Sequence, residues 1–260
     1  MWLRLKRKYN RLKYRQLAFG ISVHYFKQED LAVQGYYSQC GQDKWIVETL
    51  LPGRTGGVFV DVGAHDGVTF SNTYFLEKNL GWQGLLVEPI PDVFRKLIEN
   101  RRSTAVHGCV GPQSGRAKFR IVTGYAEMLS GLVDRYDPRH LERIRKETAE
   151  HGGSCREIEV DCFRLDELLA KHGIAEIDYL SIDVENAEFS ILETIDFGRF
   201  RIRVIGVENA YDDYRIPLLL KKKGYRFHSK IGDEFFVRDD LLAIGSPGGS
   251  GRAVLAAVQV

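Results

Sequence analysis

The sequence predicts an α/β protein with a mostly parallel sheet and helices on both faces. Two observations lead there. Short apolar runs of strand length recur at 58–62, 84–88, 105–110, 179–184, 204–208 and 235–238. Helix-like segments lie among them at 42–51, 72–79, 92–101, 187–194 and 216–223. Apolar strands joined by helix-length crossovers are the pattern of a parallel sheet covered on both sides. A chain of 260 residues, 44% hydrophobic and 28% charged, is long enough to bury one such core without disulfide staples.

Taken in order, residues 1–35 read as a basic amphipathic leader. Trp2, Leu5, Tyr9, Leu12 and Phe19 recur near helical spacing. The first fifteen residues hold seven bases (Arg4, Lys6, Arg7, Lys8, Arg11, Lys13, Arg15) and no acid. The whole chain has 37 bases and 35 acids, so 30 bases face 35 acids after the leader, and a net +2 conceals a body of −5. Such a leader is expected either to lie solvated on the domain or to touch an anionic membrane surface. Gly20, Ser22 and His24 interrupt the stretch that a signal peptide would need to be apolar. The catalytic unit is expected over 36–240. Residues 118–163 break the strand–helix rhythm, with strands at 118–122 and 158–162 flanking a charged helix at 134–150, and read as an inserted lid. Residues 241–260, with GSPGGSG from Gly245, read as a flexible tail.

Several classes are excluded. No run of about 18 apolar residues offers a transmembrane span. A mildly acidic body is unsuited to binding nucleic acid, which needs a basic surface. Cys40, Cys109, Cys155 and Cys162 form no CxxC pair; Cys155 and Cys162 could approach each other, but no zinc or disulfide framework is visible. Reduced thiols suit a cytoplasmic protein.

The chemistry concentrates at strand ends. Val58 to Gly67 reads VFVDVGAHDG, a strand ending in Asp61 and a turn opened by Gly63 and closed by Gly67. Glycines let backbone approach a ligand closely, and the carboxyl ends of strands form the crevice of an open α/β sheet. His65 stands where a dinucleotide fingerprint needs its middle glycine, which weakens an NAD-linked oxidoreductase. A nucleoside without a pyrophosphate fits better, and Asp61 suits a cationic group; S-adenosylmethionine has both properties. Glu88, at the end of GLLVE, can accept hydrogen bonds from both ribose hydroxyls before Pro89 stops the strand. Ala64 and His65 in the turn, with Pro89, complete the candidate cofactor set; His65 could equally be a polar turn residue.

Asp183 and Glu185 lie two apart on the fourth strand and point to one side while it stays extended. Either could serve as general base. Asp183, Glu208 and Asn209 form a set of hard oxygen ligands from adjacent strand ends that could hold Mg²⁺, or the same groups could bind substrate hydroxyls directly. The segment 38–43 could fold over the cofactor, and Ser130-Gly131 could line the substrate mouth. His107, His140 and His228 read as surface or satisfied core histidines.

The stretches YYSQCGQDKWI (36–46), FVDVGAHDG (59–67), GWQGLLVEPIPDVFRKL (81–97), DYLSIDVENAEFSIL (178–192) and GYRFHSKIGDEFFVR (224–238) resemble the FkbM family of S-adenosylmethionine-dependent methyltransferases. The resemblance implies a Rossmann-like class I fold, a seven-stranded sheet ending in an antiparallel strand, and methyl transfer to a hydroxyl of a sugar, glycan or natural product. By motif match it puts Asp61, Gly63 and Gly67 at the methionine end of the cofactor, Glu88 at its ribose, and Asp183 with Glu185 at the reaction centre. One departure stands out: Asn186 occupies a position where the family usually has glycine. Asn tolerates a left-handed backbone, so the turn can survive. A non-catalytic, methyltransferase-like binding protein is the alternative of another class.

Overall fold

The computed structural model describes residues 26–244. The apolar stripe and basic cluster of the expected leader, and the stretch from Gly245 onward, lie outside the described residues. In chain order the strands are β1 (Val58–Val62), β2 (Gln83–Glu88), β3 (Thr104–His107), β4 (Cys109–Val110), β5 (Gly115–Val122) and β6 (Gly131–Leu132). They continue as β7 (Cys155–Phe163), β8 (Glu176–Ile182), β9 (Arg201–Val207), β10 (Tyr225–Ile231) and β11 (Asp233–Arg238). The helices are α1 (Gln28–Val33), α2 (Gln42–Trp45), α3 (Tyr74–Leu80), α4 (Pro91–Asn100), α5 (Pro138–His151), α6 (Leu165–Lys171), α7 (Glu188–Leu192), α8 (Arg215–Lys222) and α9 (Asp239–Ile244).

The main sheet has seven strands in the order β3-β2-β1-β8-β9-β11-β10. The pairs β2–β3, β1–β2, β1–β8 and β8–β9 are parallel, whereas β11 runs antiparallel to both neighbours. This is a Rossmann-like fold, and the order reverses beside β1, where an open α/β sheet forms its crevice. Strand periodicity of two divides the core. Val60, Val62, Leu85, Val87, Leu180 and Ile182 pack into one layer. Phe59, Leu86, Tyr179, Val204 and Phe235 pack into the other. Both faces are therefore buried, which is why these strands read as apolar runs.

The chain departs from expectation in four places. Residues 105–110 are not one strand: Gly108, at φ +153°, divides β3 from β4, which enters a second sheet of order β4-β7-β5-β6. A Cβ at Gly108 would lie 2.6 Å from the Asp161 carbonyl oxygen, so only glycine makes this crossing without a shift. The insertion is thus a sheet with a helix. α5 begins at Pro138 in its first turn, with the Asp137 side chain accepting from the Arg139 N–H at 2.8 Å. Helix α2 gives way to a π turn at Ile46–Leu50 instead of running to 51. The domain also reaches past its expected edges: Leu31 of α1 is buried, Phe26 packs on the core, and Leu241 of α9 packs there too.

All four cysteines are free. Cys162 pairs in register with Cys109, both buried, while Cys155 is exposed at the other end of β7. Among the described residues no helix is long and apolar enough to cross a membrane.

Candidate active site

A cavity of about 250 Å³ opens at the carboxyl ends of β1, β2, β8 and β9, and residues of the insertion line it as well. Gly63, at φ +91°, turns the chain out of β1 so tightly that a Cβ there would overlap the Asp183 carbonyl oxygen. The Gly63 and Ala64 N–H groups both donate to the Val87 carbonyl at 3.0 Å, fastening the turn to β2. Glu88 ends β2 against the cavity. Its carboxylate accepts from the His65 N–H at 3.1 Å and the Ile90 N–H at 2.8 Å, which leaves lone pairs for a ligand. Burial pushes its pKa up to about 7 against these hydrogen bonds.

The opposite wall is acidic. Ligand oxygens of Asp183, Glu185 and Glu208 all lie within 4.8 Å of one another. Asp183 is exposed through the cavity it lines, yet enough protein surrounds it that desolvation raises its pKa to about 6. A hydrogen bond with Glu208 works in the other direction. Glu185 and Glu208 are raised well above the ordinary range, first by burial and then by the Asp183 charge. In such a cluster the protonated members donate to the ionised one. Asp183 is then the member of the cluster that ionises first.

The expected residues do not all meet. Gly63, His65, Glu88, Pro89, Asp183, Glu185 and Glu208 line the cavity; Asp61, Ala64, Gly67 and Asn209 do not. Asp61 follows the same face of β1 as Phe59, so its carboxylate turns into the opposite layer. There it accepts from Thr73 Oγ1 at 2.6 Å, and Thr73 Oγ1 accepts from Arg101 at 3.1 Å. Asp61 supports the turn from behind. Gly67 packs against α4, where a Cβ would lie 2.6 Å from both Leu97 and Arg101. Asn209 leaves the expected cation set because its amide is committed to Glu234 at 3.1 Å and to the Asp213 N–H at 2.6 Å. Glu185 takes its place, for a reason other than strand alternation. β8 ends at Ile182, and left-handed Glu185 (φ +58°) and Asn186 (φ +91°) curl the chain back toward Asp183.

Segment 38–43 does cover the cavity, contributing Gln39 and Gln42, and Ser130 lines its mouth. Buried Asp43 organises the segment by accepting from the Tyr37 N–H at 2.7 Å and Ser38 Oγ at 2.5 Å. Asp233 has no role in the sequence reading, whereas His140, read there as a surface or satisfied core histidine, is the second of these. Asp233, the first residue of β11, lines the cavity and is raised by burial to about 8. His140 of α5 is wholly buried, with Nδ1 3.4 Å from Glu185 Oε2 and 3.2 Å from the Asn186 amide. Burial lowers its pKa, so the ring is neutral. Its signal was the helix stripe, since His140 shares the buried face with Ile144 four residues on.

The family model described as the methyltransferase FkbM domain matches residues 61–227. The chain belongs to the FkbM methyltransferase family. It is 30% identical over 183 residues to 31-O-demethyl-FK506 methyltransferase FkbM of Streptomyces tacrolimicus, covering 60% of this chain and 67% of that protein. Among solved structures it is similar to methyltransferase FkbM from Methylobacillus flagellatus (14% identity, TM-score 0.43, 75% of this chain). The chain spans about half, 47%, of that structure. A TehB-like S-adenosylmethionine-dependent methyltransferase from Corynebacterium glutamicum aligns at 14% identity and TM-score 0.36, over 80% of this chain and 90% of that one.

Asn186, where the sequence resemblance leads to an expectation of glycine, has a structural task. Asn186 adopts the left-handed backbone that glycine would, and its Oδ1 accepts from the Asp137 N–H at 3.0 Å. With Nδ2 on His140, the side chain ties the start of α5 to the acidic turn. Glu188 closes the turn from below, accepting from the Asn186 N–H at 3.0 Å and the Val184 N–H at 3.3 Å.

Proposed function

We propose that the chain is an S-adenosylmethionine-dependent O-methyltransferase acting on a hydroxyl of a sugar, glycan or natural-product acceptor. The observation that carries this reading is one cavity holding Glu88 on one side and the Asp183–Glu185–Glu208 cluster on the other. The residues present fit the cofactor: Glu88 has lone pairs free for ribose hydroxyls, Gly63 admits close approach, and the acidic wall favours a cation. When bound, S-adenosylmethionine supplies an electrophilic methyl group on sulfur.

Asp183 acts as general base. It is ionised near neutral pH and close enough to its raised pKa to take a proton. With the cofactor held beside Glu88 and Gly63, the acceptor hydroxyl would pass its proton to Asp183 as it took the methyl group, with neutral S-adenosylhomocysteine as the by-product. Glu208 stabilises the Asp183 carboxylate beforehand and gives up that hydrogen bond's full strength as the proton arrives. Glu185, deeper and held beside neutral His140, shapes the site.

Calorimetric titration with S-adenosylmethionine tests the reading, and Glu88→Ala is expected to weaken binding by about tenfold or more. No binding by the unaltered chain at millimolar cofactor would overturn it. A second reading rests on the 4.8 Å clustering: Asp183, Glu185 and Glu208 are hard oxygen ligands suited to Mg²⁺, which would acidify the acceptor hydroxyl. Full turnover in EDTA removes that version and leaves the base.

A further inference from the structure

A second cavity, of about 570 Å³, adjoins the first and shares Glu208 with it. The loop after β9, the start of α5 and Asn186 form its wall. Nothing in the cofactor reading requires it. Its position does have a consequence, because the shared residue has a carboxylate oxygen within 4.8 Å of one of Asp183. Glu208 thus stands on the boundary between the second cavity and the one that Asp183 lines.

The wall selects a chemistry. Of its fifteen lining residues only Phe189, Ala210 and Ile216 lack a polar side-chain group. An apolar acceptor would strip water from the remainder and return no hydrogen bonds. The wall also has three guanidinium groups, each already neutralised by a neighbouring acid: Arg135 by Asp134 at 3.0 Å, Arg139 by Asp137 at 2.8 Å and Arg215 by Asp213 at 2.5 Å. Glu188 and Glu208 add only carboxyl groups, and Asp212 is paired with Lys230 at 3.8 Å, so the lining has no spare positive charge for a phosphate. Two of those guanidinium groups lie over aromatic faces, Arg139 over Tyr211 at 4.4 Å and Arg215 over Phe189 at 4.1 Å, which fixes their donors in place.

Donors and acceptors thus alternate at short range around a site without net positive charge. Hydroxyl groups, each able to donate and accept, satisfy such a wall; single-sign ligands do not. We propose that this second cavity is the acceptor subsite and that it takes a neutral, polyhydroxylated sugar ring, with one hydroxyl directed past Glu208 to Asp183. The proposal rests on the methyltransferase reading above and narrows its acceptor class.

The test uses the full chain with S-adenosylhomocysteine present and saturation-transfer NMR. The probes are methyl glycosides of neutral hexoses and deoxyhexoses, the corresponding sugar phosphates, and an apolar macrolide. Ala210 is an exposed wall residue, and Ala210→Trp fills the cavity. Transfer to at least one neutral glycoside is expected, weakened by roughly tenfold or more in Ala210→Trp. Ala210→Arg adds the missing unpaired cation and is expected to gain binding of a sugar phosphate. Transfer only to phosphates or to the macrolide, transfer to none of the probes, or neutral-glycoside binding untouched by Ala210→Trp would each overturn the proposal. Separate titration with S-adenosylmethionine isolates the cofactor reading: its failure in the unaltered chain strikes the methyltransferase assignment, whereas intact cofactor binding with no glycoside binding strikes the subsite alone.

Discussion

Replacing Gly63 with alanine should separate the turn after β1 from the end of β8. The added methyl would intrude on the Asp183 carbonyl oxygen by more than about 1 Å relative to ordinary contact. Two structures meet there: the Asp183 N–H donates to the Val62 carbonyl at 3.1 Å, and the Gly63 N–H donates to Val87 at 3.0 Å. Relief of the clash must stretch one of them. Overpacking of this kind costs about 1–3 kcal/mol. Alanine at φ +91° adds about 1–2 kcal/mol. A stiffer unfolded chain returns about 0.4–1 kcal/mol. The net is a destabilisation of about 1–4.5 kcal/mol, read as a lower urea midpoint at constant slope. Gly53→Ala is the control, because Gly53 has φ +72° with no atom within 4 Å of the added Cβ. It carries the backbone strain without the clash and should cost about 1 kcal/mol or less. A shift of Asp183 by about 1 Å should also lower turnover by about 100-fold. Equal stability of the two variants, with cofactor affinity unchanged, would refute the reasoning.

Asn186 can be dissected by two substitutions: Asn186→Ala loses the ties to Asp137 and His140 and keeps the backbone strain, whereas Asn186→Gly loses only the ties. Urea unfolding should place alanine about 1 kcal/mol below glycine, and both should speed hydrogen exchange in α5; unchanged exchange would remove the tie. Asp43→Ala orphans the Tyr37, Ser38 and Lys44 N–H groups and should destabilise by about 3 kcal/mol, measured by the same unfolding. Stability should also fall as pH rises from 5 to 8. Burial raises Glu88 and Glu188 to about 7 and Asp233 to about 8, above ordinary unfolded values near 4. The folded chain therefore binds more protons over that interval, so this contribution is complete below about pH 4 and is lost as pH climbs through 7–8. Asp137 and Asp166, held low by their hydrogen bonds to Arg139 and Arg164, act oppositely but below that window. His140, lowered by burial, opposes the trend as a single group. A higher urea midpoint at pH 8 than at pH 5 would contradict the assignment, and Asp233→Asn should flatten the decline.

The parallel strands were legible because the chemistry that buries them is local. Val58–Val62 is read to the residue, and 84–88 differs from β2 only at Gln83. β10 escaped notice because its alternation, YRFHSKI, mixes polar residues into an edge strand. The break at Gly108 escaped because its cause, the Asp161 carbonyl, lies over fifty positions away. At the site, strand-end acids could be named from sequence, but their directions could not. Asp61 belongs to the β1 face of Phe59, and Asn209 is consumed by Glu234, a partner twenty-five residues distant. Glu185 joins Asp183 through two left-handed residues, and β alternation contains no hint of that.

The insertion enters and leaves through hydrogen-bonded neighbours, since Cys109 and Val110 of β4 pair with Cys162 and Phe163 of β7. Its two anchors are one strand spacing apart, about 4.8 Å. A segment held that way can be lengthened, trimmed or exchanged while its stumps stay in register. The chain is thereby built like a tool with a replaceable head. Recombination between relatives at these two strands would transplant Ser130, Asp137, Arg139 and His140 together and leave Gly63 and Glu88 untouched, so that one wall of both cavities can be exchanged while the strand ends that face it stay in place.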